Sequence, residues 1–480
     1  MNHTYDLIVV GAGSGGLGMS LAAKTIGLDV LLIEEKESNV GGDCLNFGCV
    51  PSKAVLHVAR QFAYARQAET FGLKTEGKAD FEKVMNYVHG QQAVIRAHEN
   101  ADYLRQEKDL DVIIGRAHFL DEETLEVSGA KYTARRFVLA TGSKPRKLGV
   151  PGAESINLYT NETLFYDLKK LPDHLLVIGG GPIGCEMAQA FRRLGSEVTI
   201  VDRGERLSSK ELPEFSEILE AQFKKEGIKI MHESEVVAFP TPNEAEITTN
   251  KRTKTKLKFD AALVAIGRVV TTDGLGLDKA GIEVKKGKIV INDYLQTTNP
   301  RVFTAGDSTG LYYFSHGAEK HVRQLMRNFF VPFLKKKHTY ADLSWVTFTE
   351  PEIATFGRSE EDLKKDNVDF EKITQRFEDD DRAITDDYRY GQLVLYVSKK
   401  SWFFGKSTLL GGSMIAPKAG EMVQELFTAQ LAKLNTNVLF NKVYAYPVSS
   451  RINQKATNSI RTGDLTPFLK KVLGVLYRWQ

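Results

Sequence analysis

Unbroken apolar runs dominate the first part of this chain. Tyr5-Asp6-Leu7-Ile8-Val9-Val10, Asp29-Val30-Leu31-Leu32-Ile33, Phe137-Val138-Leu139, Leu175-Leu176-Val177-Ile178 and Val198-Thr199-Ile200-Val201 each stop at a glycine, an alanine or a charged residue. Short runs of this kind predict strands buried on both faces, as in a parallel sheet covered by helices. Between them the spacing predicts helices over Leu17 to Thr25, Val50 to Ala68 and Phe81 to Glu107. Strands resume at Val112, with Gly115 to Phe119 after it. From about Tyr340 the character changes to alternating strands, which predicts a separate C-terminal α+β part. The last stretch, Thr466 to Gln480, has helical spacing again, and Thr466 and Pro467 suit its cap and first turn.

The turns between these strands carry the first chemical signal. Tyr5 to Val10 runs into Gly11-Ala12-Gly13-Ser14-Gly15-Gly16, then a helix, a second strand and Glu34. Strand, GxGxxG turn, helix, strand and acid form the complete dinucleotide fingerprint. The glycines admit a pyrophosphate to the helix N-terminus, and the acid accepts from a ribose hydroxyl. The pattern repeats at Leu175 to Ile178, Gly179-Gly180-Gly181-Pro182-Ile183-Gly184 and a strand reaching Asp202-Arg203. Two such units predict two nucleotides. Asp202 stands where an acid selects a free ribose 2′-hydroxyl, while Arg203 and Arg206 stand where a 2′-phosphate could be held. These residues leave open whether the second nucleotide carries a 2′-phosphate.

Composition narrows the class. A chain of 480 residues has room for two or three domains. Its net charge of +3 is too small for an electrostatic nucleic-acid binder. Three cysteines make no disulfide scaffold and fit a reducing cytoplasm. A strand begins almost at once, so no signal peptide is expected, and no apolar run reaches the ~20 residues of a membrane span. The charged runs Lys251 to Lys258, Lys335 to Lys337 and Glu378 to Asp381 read as solvated loops.

Two of the three cysteines stand together, in Gly41-Gly42-Asp43-Cys44-Leu45-Asn46-Phe47-Gly48-Cys49-Val50-Pro51-Ser52-Lys53. A predicted helix start and Lys53 would lower a thiol pKa there. Taken alone, the pair also fits two buried structural thiols.

The whole string resembles the active-site segment of the flavoprotein disulfide reductases, the class I pyridine nucleotide-disulfide oxidoreductases that include dihydrolipoamide dehydrogenase, glutathione reductase and mercuric reductase. The resemblance extends through Ala140-Thr141-Gly142-Ser143, Ala265-Ile266-Gly267-Arg268, Arg301-Val302-Phe303-Thr304-Ala305-Gly306-Asp307, Trp345 to Ala354 and Gly411 to Glu421, covering residues 4 to about 455. It implies an α/β fold of two Rossmann-like domains and a C-terminal α+β dimerisation domain. The expected boundaries are 1–150 with 270–338 for FAD, 151–269 for NAD(P), 339–464 for dimerisation and 465–480 for an amphipathic helix. It implies a homodimer and a redox-active Cys44–Cys49 disulfide, with Cys49 nearer the flavin and Cys44 attacking the acceptor. Lys53 and Glu186 match an ion pair at the flavin's nicotinamide face. The cofactor-binding set it implies is Gly11, Gly13, Ser14, Gly15, Gly16, Glu34, Gly42, Asp43, Lys53, Ala117, Thr141, Gly142, Ser143, Asp307, Ser315 and His316, with Gly179, Gly181, Ile183, Gly184, Asp202, Arg203, Val236 and Gly267. Cys185 is expected to be packed in the core.

Two departures stand out. Aspartate occupies position 43, where the family usually has threonine. Family members that reduce organic disulfides carry a HxHPTxxE segment, whose second histidine protonates a leaving thiolate across the dimer. Here it reads Tyr444-Ala445-Tyr446-Pro447-Val448-Ser449-Ser450-Arg451. A tyrosine of pKa about 10 does not cycle near neutrality, but it can donate a hydrogen bond or bind a metal. Mercuric reductase also lacks the pair and uses tyrosines, yet no cysteine follows Cys185 to match its C-terminal cysteine pair. The expectation is therefore an NAD(P)H-dependent, mercuric-reductase-like flavoprotein. Its acceptor is a metal ion, a quinone or a small disulfide, with Tyr446 in the catalytic set. A dihydrolipoamide dehydrogenase or glutathione reductase with a substituted acid–base group is one alternative, and a low-turnover flavoprotein sensor or docking protein another. In the tail, Phe468, Leu469, Val472, Leu473, Val475, Leu476 and Trp479 share one face, with Lys470, Lys471 and Arg478 beside it. This stretch packs on the dimer, lies on a membrane, making a cytoplasmic protein membrane-peripheral, or stays disordered.

Overall fold

The computed structural model describes residues 4–399, 406–463 and 466–479. It divides into two compact units, Met1–Leu207 with Glu226–His338, and Ser208–Lys225 with Thr339–Gln480. The helix Pro213–Lys225 thus belongs to the second unit, a grouping absent from the expected 151–269 domain. The expected boundary at 464/465 lies outside the described residues.

The first unit holds two sheets of Rossmann type. In one, Tyr5–Val10 lies between Val30–Glu34 and Ala130–Leu139, parallel to both, with Val9 opposite Leu32 and Val138. Asp111–Ile114 extends it at one edge, and Val302–Thr304 pairs with Ala130–Leu139. Ile8, Val9, Leu31, Leu32 and Val138 are fully buried, because helices cover one face and an antiparallel layer the other. The second sheet is all parallel, in the order Lys229–Met231, Glu197–Val201, His174–Ile178, Ala261–Val264 and Leu158–Tyr159. A two-stranded ribbon, Ser143–Pro145 with Arg268–Val270, joins the two closing turns.

The second unit is built on a five-stranded antiparallel sheet, ordered Ser344–Thr347, Glu352–Gly357, Leu409–Ala416, Gln392–Ser398 and Phe370–Arg376. Helices including Gln424–Leu431 and Arg451–Gly463 pack on it around Phe356, Leu395, Met414, Leu426 and Ile452.

Four expectations are corrected. The first helix spans Ser14–Thr25 and begins in the glycine turn, before its apolar face starts at Leu17. The long helix expected over Phe81 to Glu107 is two, Phe81–Arg96 and Ala101–Glu107. Asn100 is extended, and its side chain accepts from Tyr103 N at 2.9 Å, capping the second. The basic run is no loop: Thr253–Lys258 is a strand, with Lys254 and Lys256 paired to Glu246 and Glu244 at 2.6 and 2.7 Å. In the acidic run, Asp380 is buried, caps Asp381–Thr385 and pairs with Lys455 at 2.9 Å. Lys335 to Lys337 are exposed as expected. The tail forms the helix Pro467–Arg478, capped by Thr466, with none of its residues buried.

Candidate active site

Both glycine turns have the geometry of a nucleotide cradle. Gly11 has φ +103°, and a Cβ on Gly16 would lie 1.7 Å from the Gly11 carbonyl oxygen, so strand and helix meet more closely than any side chain permits. In the second turn, a Cβ on Gly184 would lie 1.9 Å from Gly179 O. Glu34 closes the first unit by accepting from Ala12 N at 2.7 Å, and its remaining lone pairs suit a ribose hydroxyl. Asp202 closes the second, accepting from Gly180 N and Gly204 N at 2.9 and 3.0 Å. Arg203 pairs with Glu235 at 2.8 Å. Ile183 is exposed beside the open face of Gly181. Val236 and Ala117 are buried core residues, so only their backbone is available to a ligand. Gly267 has φ +103°, as the closing turn requires.

The cysteine segment folds onto the first turn. A Cβ on Gly42 would lie 2.4 Å from Gly13 Cα, which explains the glycine pair before Asp43. Cys44 sits in the short helix Gly42–Asn46, and Cys49 is the first residue of the helix Cys49–Gln67. Cys49 Sγ lies 3.4 Å from Ser315 Oγ at the start of the helix Ser315–Phe330. The Cys49 thiol is pulled down to about 6 by its hydrogen bond with Cys44, assisted by Ser315 and the charge of Lys53, while crowding by protein acts the other way. Cys44 is pushed up by the same hydrogen bond and by burial, with Glu99 adding to the effect. The two thiols are thus driven in opposite directions, Cys49 toward the thiolate and Cys44 toward the thiol.

Lys53 Nζ, one turn into the helix, meets Glu186 Oε2 at 2.8 Å, and the Glu186 side chain is only 7% exposed. The next residue back, Cys185, is fully buried and donates to Gly180 O at 3.3 Å, as a core residue. Ser143 Oγ donates to Asp307 Oδ2 at 2.5 Å, and Thr141 Oγ1 donates to Thr271 O. Burial raises the Asp307 carboxyl. Behind it, Gly306 N donates to His321 Nδ1, whose ring is buried and pushed down to about 3, hence neutral. His316 stacks on Phe314 at 5.2 Å.

Three residues here were given no role from sequence. Arg268 joins Ser143, Asn161 and Asp43; Asn161 also reaches Phe47 O; Glu99 acts on Cys44. Arg268 was legible as the residue after Gly267 in the second closing turn, whereas Asn161 and Glu99 carry no motif. In the second unit, Tyr444 donates to Glu425 at 2.8 Å. Tyr446 is 68% exposed, with the Arg451 guanidinium 5.2 Å over its ring, and the neighbouring Asp381 carboxylate raises its hydroxyl above the ordinary phenol value. Among the described residues no cluster of histidine, cysteine and carboxylates is arranged to hold a metal ion.

Two dinucleotide cradles, a cysteine pair against the first and a separate α+β unit define a flavin- and nicotinamide-dependent dithiol oxidoreductase. The chain belongs to the pyridine nucleotide-disulphide oxidoreductase family: the family model matches residues 5–326, and its dimerisation domain matches 343–456. It is similar to mercuric reductase of Lysinibacillus sphaericus, 33% identical over 89% of this chain and 77% of that one, and to mercuric reductase of Streptomyces lividans, 32% over 92% and 94%. Dihydrolipoyl dehydrogenase of Thermus scotoductus is 30% identical over 95% and 97%. In fold it matches the Cu(II) complex of the HOCl-induced flavoprotein disulfide reductase RclA from Escherichia coli, with TM-score 0.82, 23% identity and coverage of 96% and 100%. The protein is an enzyme, an oxidoreductase using FAD and NAD(P)H, and its dimerisation domain supports a homodimer.

Proposed function

We propose that the enzyme passes electrons from a nicotinamide through FAD to the Cys44–Cys49 pair, and from there to an acceptor that needs no histidine acid. The observation that carries this reading is the cysteine segment folded onto the first glycine turn, with Cys49 Sγ 3.4 Å from Ser315 Oγ and the Lys53–Glu186 ion pair one turn further on. Bound FAD would supply the two-electron carrier between the nicotinamide and the disulfide. Gly11 to Gly16, Glu34, Ser143 and Asp307 are the residues to hold it, and Gly179 to Gly184 with Asp202 those to hold the nicotinamide. Asp202 at the ribose end, with Arg203 engaged by Glu235, favours NADH.

Towards a disulfide acceptor, the Cys44 thiol gives up its proton to solvent as its sulfur attacks one acceptor sulfur, and the acceptor S–S bond breaks. Its leaving thiolate takes a proton, and Cys49 then attacks Cys44 to re-form the internal disulfide and release the second thiol. Tyr446 and Arg451 supply no acid cycling near neutrality for that leaving group. A metal ion held by the two sulfurs, or a quinone, avoids this step. The names of the mercuric reductase relatives and of the RclA copper complex make mercury(II) and copper(II) the metal ions to try first.

The tail adds a location. The apolar residues of Pro467–Arg478 fall on one arc, with Phe468 77% and Trp479 89% exposed, and Lys470, Lys471 and Arg478 line the other. This favours a cytoplasmic enzyme resting on an anionic membrane, where a quinone is at hand. No helix among the described residues is long and apolar enough to cross a membrane.

An acceptor screen on purified protein tests the reading. With NADH and NADPH as donors, we expect steady turnover on mercury(II), copper(II) or a quinone, far above that on lipoamide or glutathione disulfide, and loss of it in Cys44→Ser. Turnover that survives Cys44→Ser would overturn the dithiol route.

A further inference from the structure

We propose that Asp43, held against Arg268, is a positioning residue that makes the Cys44–Cys49 dithiol a stronger reductant. The proposal rests on the dithiol reading above and adds what sets the strength of the pair.

The Arg268 side chain is only 10% exposed and fully engaged. Its Nε donates to Ser143 Oγ at 2.7 Å, and its two terminal nitrogens donate to Asn161 Oδ1 at 3.2 Å, Asp43 Oδ1 at 3.1 Å and Ser143 O at 2.8 Å. Asp307 Oδ2 lies 3.7 Å from Nε. Asn161 Nδ2 donates to Asp43 Oδ1 at 3.0 Å and to Phe47 O at 3.3 Å, fastening both ends of the stretch that carries Cys44. On the far side, Asp43 Oδ2 would lie 2.9 Å from a Cβ on Gly48, the residue before Cys49. A carboxylate is thus carried by the residue before Cys44 and held beside the residue before Cys49, with its orientation fixed by Arg268 and Asn161.

The charge count gives the effect its sign. Asp43, Arg268 and Asp307 sum to −1; with an uncharged residue at 43 they sum to zero. The half-reaction is Cys44–S–S–Cys49 plus two electrons and one proton, giving a Cys44 thiol and a Cys49 thiolate. Only the reduced side carries the sulfur anion, so a neighbouring carboxylate destabilises that side and favours giving the electrons away.

The experiment uses full-length, FAD-loaded protein equilibrated anaerobically in glutathione/glutathione disulfide buffers. The cysteines are then alkylated and counted by mass, with FAD content and Tm recorded. In Asp43→Asn we expect the dithiol form to be favoured about tenfold more, equivalent to an upward shift of about 30 mV for this two-electron couple. Asp43→Glu should stay within about threefold of the parent. Asp43→Thr, which also removes the charge, should move as Asp43→Asn does, and decides the matter if Asp43→Asn fails to fold. A change below twofold in a neutral variant that retains FAD overturns the proposal, whatever happens to Tm. A parent protein whose cysteines never link in any buffer overturns the underlying dithiol reading instead, and with it the proposal.

Discussion

At the scale of single residues, the site works through differences between like groups. Cys44 and Cys49 act on each other, one thiol pushed up and the other pulled down. At pH 7 Cys49 is therefore mostly thiolate, and its thiolate fraction falls as the pH drops through about 6. In the reduced enzyme the rate of Cys49 alkylation should fall about tenfold per pH unit below that point, followed by peptide mapping of iodoacetamide-treated protein. The same thiolate, next to bound FAD, should give a long-wavelength charge-transfer band on anaerobic reduction with NADH. A band that persists in Cys49→Ser would mean that the roles of the two cysteines are misassigned. Lys53 and Glu186 form the other residue-scale pair. Removing one partner of a buried ion pair costs about 3–5 kcal/mol; Lys53 keeps 37% of its side chain in water, so Lys53→Met should cost less, about 2–3 kcal/mol. Thermal unfolding of the FAD-loaded enzyme measures it, and Lys53→Arg should recover most of the loss.

At the scale of elements, the decisive contacts are backbone against backbone. Gly16→Ala puts a methyl 1.7 Å from the Gly11 carbonyl, so either the helix Ser14–Thr25 retreats or the turn opens. Both spoil the pyrophosphate seat, and the variant should purify without bound flavin; a normal yellow protein with a full FAD complement would show that the turn tolerates the displacement. The terminal helix Pro467–Arg478 makes a different kind of prediction. It buries none of its residues within this chain, and Lys470, Lys471 and Arg478 give it a basic side. Intact protein should co-sediment with anionic liposomes at low salt, while a version ending at Asp464 stays in solution. Equal behaviour of the two, with both dimeric, would make the helix a peripheral surface element and remove the argument for a membrane-borne acceptor.

For the molecule as a whole, Tyr446 and Arg451 replace the His–Glu pair of the organic-disulfide reductases. General acid–base assistance is typically worth ~10²–10⁴-fold. Steady-state turnover on lipoamide should therefore sit well below that of a dihydrolipoyl dehydrogenase assayed alongside; parity would mean that another group, with Glu99 the first to examine, supplies the proton.

The amino-acid order alone determined the two dinucleotide units, the cysteine pair and the change to an α+β unit after Tyr340. These depend on local rules: an apolar run, glycines at fixed offsets where a Cβ does not fit, and an acid at the strand end. Lys53 with Glu186 was legible through resemblance, and the structure brings them to 2.8 Å. What only the tertiary structure decided is chiefly electrostatic and long-range. Asp43 and Arg268 stand 225 residues apart, and nothing local to either announces the other. The same holds for Asn161 beneath Asp43 and for Glu99 beside Cys44. The helix break at Asn100 is not legible in the spacing, because the apolar pattern continues across it while a single side-chain cap restarts the helix. The basic run became a strand because cross-strand glutamates at 244 and 246 neutralise Lys256 and Lys254. Periodicity specifies which face of an element is buried. Which charge ends up beside which thiol depends on how separate elements are brought together, and that is set by the packing of the whole unit.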